Sequence, residues 1–284
     1  MNLDALARPS GTFLMVAMDQ RESLRTMLAQ HFEDADDARL VRFKLTVARE
    51  LGPYASGFLI DRHYAYDEIV QEQLLPPTCG LILAADALDQ PPGGIVEDTE
   101  LDEAVAAVIA PEVVALKLLV IWRDDDERAR RVDTARRFVE LAHAHGLLAV
   151  LEPVVRGPAG FDRESAIVEA AGELGSGGCD LYKCEVPTHG AGDSEEITDW
   201  SRRIDAAVPC PWVVLSQGVE PARYPAAVAA ACKGGASGML AGRAVWTATL
   251  AADDPTALLR ELSVPRLREL GAIVDTYGRP WREK

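Results

Sequence analysis

The sequence predicts a single (β/α)8 (TIM) barrel over residues 1–284, with an extra helix at its C-terminal end. Apolar runs of strand length recur eight times along the chain. Between them lie stretches whose apolar residues fall at three- and four-residue steps, the period of a helix. The length of 284 residues slightly exceeds the roughly 250 typical of eight strand–helix units.

The apolar runs are residues 12–19, 57–61, 79–84, 113–121, 147–155, 180–186, 212–216 and 238–241, and helical spacing marks 125–145, 162–174, 194–207 and 222–233. Strands alternating with helices imply a parallel sheet. Runs apolar on both faces are buried on both, and eight of them close naturally into a barrel, with an open doubly wound sheet as the alternative. Residues 255–277 have helical periodicity and no strand after them, which makes them the extra helix outside the barrel. Residues 88–99, with Pro91, Pro92, Gly93 and Gly94, read as a surface loop. Residues 189–193 read as a second loop, either a mobile lid or a plain connection. No second domain, repeat or low-complexity linker is visible.

With 48% hydrophobic residues, such a domain can bury about 75% of the surface its unfolded chain exposes, so it needs no staple. The five cysteines, Cys79, Cys179, Cys184, Cys210 and Cys232, are odd in number and show no CxxC spacing, which fits a reducing cytoplasm. No stretch approaches the roughly 20 apolar residues of a membrane span, and residues 1–10 lack the regions of a signal peptide. A soluble, cytoplasmic protein is expected. The formal net charge of −16 disfavours nucleic acid and acidic membranes, leaving a small anionic substrate that a few gathered arginines could hold. His143 and His145 diverge on a helix, and His31, His63 and His189 show no ligand spacing, so a metal enzyme is not expected. A homo-oligomer is the default expectation for a barrel.

Barrel enzymes place chemistry at the carboxyl ends of their strands, so polar side chains there call for a reason. In Asp180-Leu181-Tyr182-Lys183-Cys184-Glu185-Val186 the two-residue period puts Lys183 and Glu185 together on the inward face and turns Cys184 toward the helices. Lys117 sits inside Ala115-Leu116-Lys117-Leu118-Leu119-Val120, where an unpaired ammonium would cost several kcal/mol. The chain has five lysines against 24 arginines, and two of the five fall in core strands. A lysine in a dry pocket beside another cation can lose its proton and attack a carbonyl, which arginine cannot. Lys117 and Lys183 suit that pairing. The plainer reading is a buried pair without chemistry, Lys183 with Glu185 or Lys117 with Glu152, although such pairs rarely stabilise a fold. Glu152, in Val150-Leu151-Glu152-Pro153, is the first choice for taking a substrate hydroxyl proton, since a partly apolar pocket raises a carboxyl pKa. Asp19 ends the first run and either orients Lys183 or a substrate hydroxyl, or merely pairs with a lysine.

Ser216-Gln217-Gly218 and Ala241-Gly242-Arg243 follow the seventh and eighth runs. In barrels these loops, with the start of a short extra helix, hold phosphate, and residues 244–250 supply that helix. Arg243 adds a bidentate contact. Gln20 and Arg21, just past the first run, complete the substrate-binding set. Arg21, Arg62 and Arg156 all follow strand ends, and each could receive a second anionic group or stand as a surface arginine.

Seven segments carry a family resemblance: Met18-Asp19-Gln20-Arg21-Glu22, Pro53-Tyr54-Ala55-Ser56, residues 115–123, Glu152-Pro153-Val154-Val155-Arg156, Asp180-Leu181-Tyr182-Lys183, Ser216-Gln217-Gly218-Val219 and residues 235–246. The chain resembles the tagatose-bisphosphate aldolase group of class I aldolases, and within it the bacterial sulfofructosephosphate aldolases. The resemblance implies that Lys183 forms the imine, with Lys117 as the neighbouring amine and Arg243 as an anion ligand. It also implies cleavage of 6-deoxy-6-sulfofructose 1-phosphate to dihydroxyacetone phosphate and sulfolactaldehyde, in sulfoglycolysis, with no cofactor. Gln217 departs from the pattern, which has a small residue there, so its longer side chain bears on the anion pocket. Tagatose 1,6-bisphosphate is the alternative substrate. A different Schiff-base lyase, acting on a plain keto acid, and a non-catalytic sugar-phosphate-binding regulatory barrel are the rival functions.

Overall fold

The computed structural model describes residues 2–284. Its strands are β1 (Phe13–Met18), β2 (Gly57–Asp61), β3 (Gly80–Ala84), β4 (Asp86–Asp89), β5 (Asp98–Leu101), β6 (Val113–Trp122), β7 (Leu148–Val155), β8 (Leu181–Cys184), β9 (Trp212–Val214) and β10 (Gly238–Ala241). Eight of them close a parallel barrel in the order β1-β10-β9-β8-β7-β6-β3-β2, and each of the eight lies on an expected run. The closing seam pairs Phe13 with Gly238 through to Val16 with Ala241. A Cβ at Gly238 would come within 2.0 Å of the Phe13 carbonyl oxygen, and its φ of +141° is glycine territory, so the seam needs glycine.

Alternation sorts the strand side chains into two cores. Phe13, Met15 and Ala17, with Leu59, Ile82, Ala115, Val150, Leu181, Val213 and Leu240, fill the barrel interior, which Leu3, Leu6 and Trp281 cover at the amino end. Leu14, Val16 and Met18 point the other way, into the larger core beneath the helices. Replacing Phe13, fully buried, with alanine would cost about 3–5 kcal/mol.

The helices are α1 (Glu22–Leu28), α2 (Asp37–Leu51), α3 (Tyr66–Gln71), α4 (Arg128–Ala144), α5 (Arg163–Gly175), α6 (Ser194–Ala207), α7 (Tyr224–Lys233), α8 (Arg243–Trp246), α9 (Thr256–Leu258) and α10 (Val264–Tyr277). Aspartates cap several, as their short side chains favour. Asp36, Asp162 and Asp193 accept from the backbone N–H of Arg39, Ser165 and Glu196 at 2.9, 3.1 and 2.7 Å. The expected C-terminal helix is present, interrupted by a π-helical stretch at Leu259–Ser263 just before Pro265, which has no N–H to donate. It lies against β1 with α7 and α2 beside it, completing the helical ring. Among the described residues no helix is long and apolar enough to cross a membrane.

The segment expected as a surface loop is different. Residues 88–99 belong to an antiparallel hairpin, β4 with β5, paired from Asp86 with Leu101 to Asp89 with Asp98. Its four-residue strands carry aspartates at Asp86, Asp89 and Asp98, so no apolar alternation announces them. Helix α4 supplies what holds the hairpin down: Arg130 pairs with Asp98 and Glu100, and Arg131 Nε lies 3.6 Å from Asp98. After β8 the chain makes a 3-10 turn, Pro187–Gly190, in which Thr188 and His189 both have φ near +50°.

Candidate active site

On six barrel strands the inward-facing series turns from apolar to charged at the same step. Ala17 is followed two residues on by Asp19, Leu59 by Asp61, Ala84 by Asp86, Ala115 by Lys117, Val150 by Glu152 and Leu181 by Lys183. Barrel closure therefore gathers residues far apart in sequence into one layer, and none of the six is more than 9% exposed. All but Asp61 line a cavity of about 500 Å³.

Glu152 is the centre of this layer. Its Oε2 lies 2.8 Å from Lys117 Nζ and 2.9 Å from Lys183 Nζ. Lys117 Nζ also donates to Asp19 Oδ2 at 2.8 Å and to Asp86 Oδ1 at 3.3 Å. Burial alone would push the Lys117 ammonium to shed its proton. The carboxylates of Asp19, Asp86 and Glu152 more than reverse that, and its pKa stands well above an ordinary lysine. Burial likewise works against the Asp19 carboxylate, but Lys117 and Lys183 overcome it and hold the group below the usual range. For Asp86 burial wins, reinforced by Asp19 and opposed by Lys117 and Arg21, so its pKa is raised. The layer thus contains one fixed cation, Lys117, and a second amine whose nearest carboxylate is shared with that cation. Such an arrangement can pass a proton between Lys183 and Glu152 and can present a nucleophilic nitrogen to the cavity.

Sequence reasoning missed Asp86, Asp61 and Lys44. Asp86 follows Ala84 with the inward parity, two residues past the end of the expected run, and it also accepts from the backbone N–H of Leu119 at 2.9 Å. Lys44 falls within the buried stripe of α2 with Leu40, Phe43, Val47 and Leu51, where a charged residue is as anomalous as in a core strand. It is fully buried, donates to the equally buried Asp61, and has its pKa lowered by that burial. Asp61 also accepts from the backbone N–H groups of His63 and Tyr64 at 2.9 and 3.1 Å.

The expected binding residues divide. Gln20, Arg21, Ser216, Gln217, Gly218, Gly242 and Arg243 all line the cavity. Arg21 is pinned between Asp86, 3.7 Å from Nη2, and Asp61, 4.0 Å from Nε, while the Gln20 Oε1 is buried without a hydrogen-bond partner. Arg243 Nη2 donates to Gln217 Oε1 at 3.2 Å, so the long side chain at 217 holds the arginine instead of blocking it. Burial keeps the Arg243 pKa below its ordinary value, and among the described residues no carboxylate lies within 4.0 Å of it. Arg62 pairs with Asp102 and does not line the cavity, which leaves it a structural arginine.

Two expectations need correction. Glu185 does not face Lys183. It lies past the end of β8, where alternation no longer applies, and accepts from Arg163 Nη2 at 3.1 Å and the backbone N–H of Val155 at 2.8 Å. The segment around Pro91–Gly94 is no bystander either, because Leu88, Gln90, Gly93, Ile95 and Val96 of the hairpin form one wall of the cavity.

A model of the DeoC/LacD family aldolases matches residues 13–248. The chain belongs to that family. This aldolase is therefore a carbon–carbon lyase of the class I type. It is similar to tagatose 1,6-diphosphate aldolase 2 of Streptococcus mutans, 24% identical over 97% of this chain and 94% of the relative. It is also similar to tagatose 1,6-diphosphate aldolase 1 of Streptococcus pyogenes serotype M3, 27% identical over 96% of this chain and 94% of the relative. In fold the aldolase is similar to the fructose-bisphosphate aldolase from Plasmodium falciparum, with a TM-score of 0.74, 12% identity, and coverage of 97% and 93% of the two chains.

Proposed function

We propose that this aldolase cleaves a ketose 1-phosphate through an imine on Lys183. The observation that carries the reading is the pair of lysine nitrogens, Lys117 and Lys183, 2.8 and 2.9 Å from one carboxylate oxygen of Glu152 beside the cavity. Lys183 gives its proton to Glu152 and attacks C2 of the ketose, and the resulting carbinolamine loses water. Glu152, its proton passed on with that water, then takes the C4 hydroxyl proton. The C3–C4 electrons flow to the iminium nitrogen, and the aldehyde leaves. Protonation of the enamine at C3 and hydrolysis of the imine release dihydroxyacetone phosphate and restore the amine. Lys117, a permanent cation here, stabilises the oxygen that gathers negative charge at C2, and Asp19 holds Lys117 in place. Arg243, with the Ser216 hydroxyl and the turns at Gly218 and Gly242, takes the C1 phosphate.

The specific substrate we infer is 6-deoxy-6-sulfofructose 1-phosphate, giving sulfolactaldehyde as the aldehyde. The residue-level resemblance described above supports it. The names of the Streptococcus relatives favour the second reading, tagatose 1,6-bisphosphate. Borohydride reduction with dihydroxyacetone phosphate, followed by peptide mass mapping, tests the mechanism: the adduct belongs on Lys183, and its absence overturns the imine. The ratio of kcat/KM for the sulfosugar over the bisphosphate tests the substrate, and a ratio below one reverses the assignment.

A further inference from the structure

The five cysteines are free, and the aldol chemistry uses none of them. Two of them meet. Cys179, just before β8, and Cys210, just before β9, place their Sγ atoms 3.6 Å apart, in van der Waals contact, although 31 residues separate them in sequence. The parallel ladder is the cause. Tyr182 of β8 pairs with Trp212 of β9, and the Tyr182 N–H donates to the Pro211 carbonyl oxygen at 3.0 Å, so the residues leading into the two strands lie side by side. Neither cysteine lines the cavity, because both stand at the amino ends of their strands and the charged layer lies toward the carboxyl ends.

The two thiols differ in access. Cys179 is buried, and its contact with Cys210, followed by burial, holds its thiol well above the usual range, so it stays protonated. Cys210 is only part-buried, which leaves its sulfur open to a small oxidant from solvent. Cys79, Cys184 and Cys232 are all buried, and among the described residues no other two thiols are in hydrogen-bond contact. A buried thiol without a thiol neighbour is inert, whereas a reachable thiol touching a second one is arranged to close a disulfide.

We propose that Cys179 and Cys210 are a reversible oxidation site, forming a disulfide that staples the entry of β8, the strand of Lys183, to the entry of β9. Hydrogen peroxide is the oxidant. The Cys210 thiolate attacks one peroxide oxygen and the O–O bond breaks, leaving a sulfenic acid on Cys210 and a hydroxide that takes up the proton the thiol released. The Cys179 sulfur then attacks the Cys210 sulfur. The S–O bond breaks, the hydroxyl leaves as a second water with the Cys179 proton, and the S–S bond forms. One peroxide is thus reduced to two waters as two thiols are oxidised to one disulfide, and a small thiol reverses the bridge by exchange. The bridge closes residues 179–210, a segment that contains Lys183, the Pro187–Gly190 turn and α6. Joining its ends restricts the unfolded chain and so stabilises the fold. It also fixes the register in which Lys183 pairs with Val213.

The test treats the reduced, unaltered protein with one equivalent of hydrogen peroxide, with glutathione disulfide as a second arm. The intact mass should fall by two hydrogens, about 2 Da, and a peptide map should join Cys179 to Cys210. Tm should rise by about 5–10 °C and return on adding dithiothreitol. kcat/KM for aldol cleavage should stay within about twofold, because the amino face of a barrel serves stability and not chemistry. Cys210→Ser should abolish both the join and the rise in Tm. Thiols that stay free, a glutathione adduct on Cys210 without a join, or a join to Cys184 would each overturn the site. A bridge that leaves Tm unchanged, or one that lowers kcat/KM by more, overturns the staple. Mass, peptide map and Tm need no variant, so they decide the matter even if Cys210→Ser folds poorly.

Discussion

Lys117 and Lys183 reach the same oxygen of Glu152 from adjoining sides, at 2.8 and 2.9 Å, although they lie on strands β6 and β8, separated in the barrel by β7. Two amines and one carboxylate oxygen form a unit in which altering any member changes the other two.

Glu152→Gln keeps the shape and removes the base. On the proposed mechanism kcat falls about 10²- to 10⁴-fold, with the imine still formed on Lys183, only more slowly. Lys183→Met abolishes both turnover and the trapped adduct. Steady-state kinetics with mass mapping after borohydride separates the two variants, and an adduct in the methionine variant would show that another lysine is the nucleophile.

Removing Lys117 strands three buried carboxylates. Lys117→Met should cost about 3–5 kcal/mol at pH 7 by denaturant titration, the penalty for breaking a buried ionic group. In the unaltered protein Asp19 has a lowered pKa, so its contribution is present above about pH 3.9 and fades as the pH drops through the folded-state value. Lys117 has a raised pKa, so its contribution is present below about pH 10.4 and fades as the pH climbs past that. In the variant the carboxylates have lost their cation and take up protons more readily. The stability deficit should therefore shrink from pH 7 toward pH 4, and a deficit constant with pH would contradict the ionic account.

The buried pair of Lys44 and Asp61 has its own signature. Lys44→Met alone leaves an uncompensated carboxylate in the core, for about 3–5 kcal/mol, and Asp61→Asn in the same chain should recover part of that loss. A double-mutant cycle in urea measures the coupling. Because Asp61 also faces Arg21, 4.0 Å from its Nε, the single variant should disturb the position of Arg21 as well.

Arg243→Ala tests the phosphate end. A charge-assisted contact is worth about 1.5–3 kcal/mol, so kcat/KM for a ketose 1-phosphate should fall about 10- to 100-fold. The unphosphorylated ketose should lose less. Equal losses on both would assign Arg243 to holding the loop through Gln217 and not to the anion.

Much of this was legible in the chain, because each legible feature has a local cause. The strand runs are apolar on both faces because the barrel buries both, and their two-residue period carries Lys117, Glu152 and Lys183 inward in register with Ala115, Val150 and Leu181. A lysine within such a run is conspicuous because burial of an unpaired charge is so unfavourable. The hairpin was illegible for the opposite reason. Its four-residue strands are polar, and arginines from α4, distant in sequence, hold it.

By itself the sequence determined the eight-stranded barrel, the inward parity of the charged residues and the arginines available for anions, since periodicity and residue chemistry act within a few residues. Only the tertiary structure decided the pairings. It gave Glu152, and not Glu185, to Lys183; it drew Asp86 to Lys117 and Lys44 to Asp61; and it left Arg156 without a carboxylate while giving one to Arg62. Ion pairs in a buried layer depend on distances of a few ångströms between elements 17 or more residues apart, and closure of the barrel sets those distances.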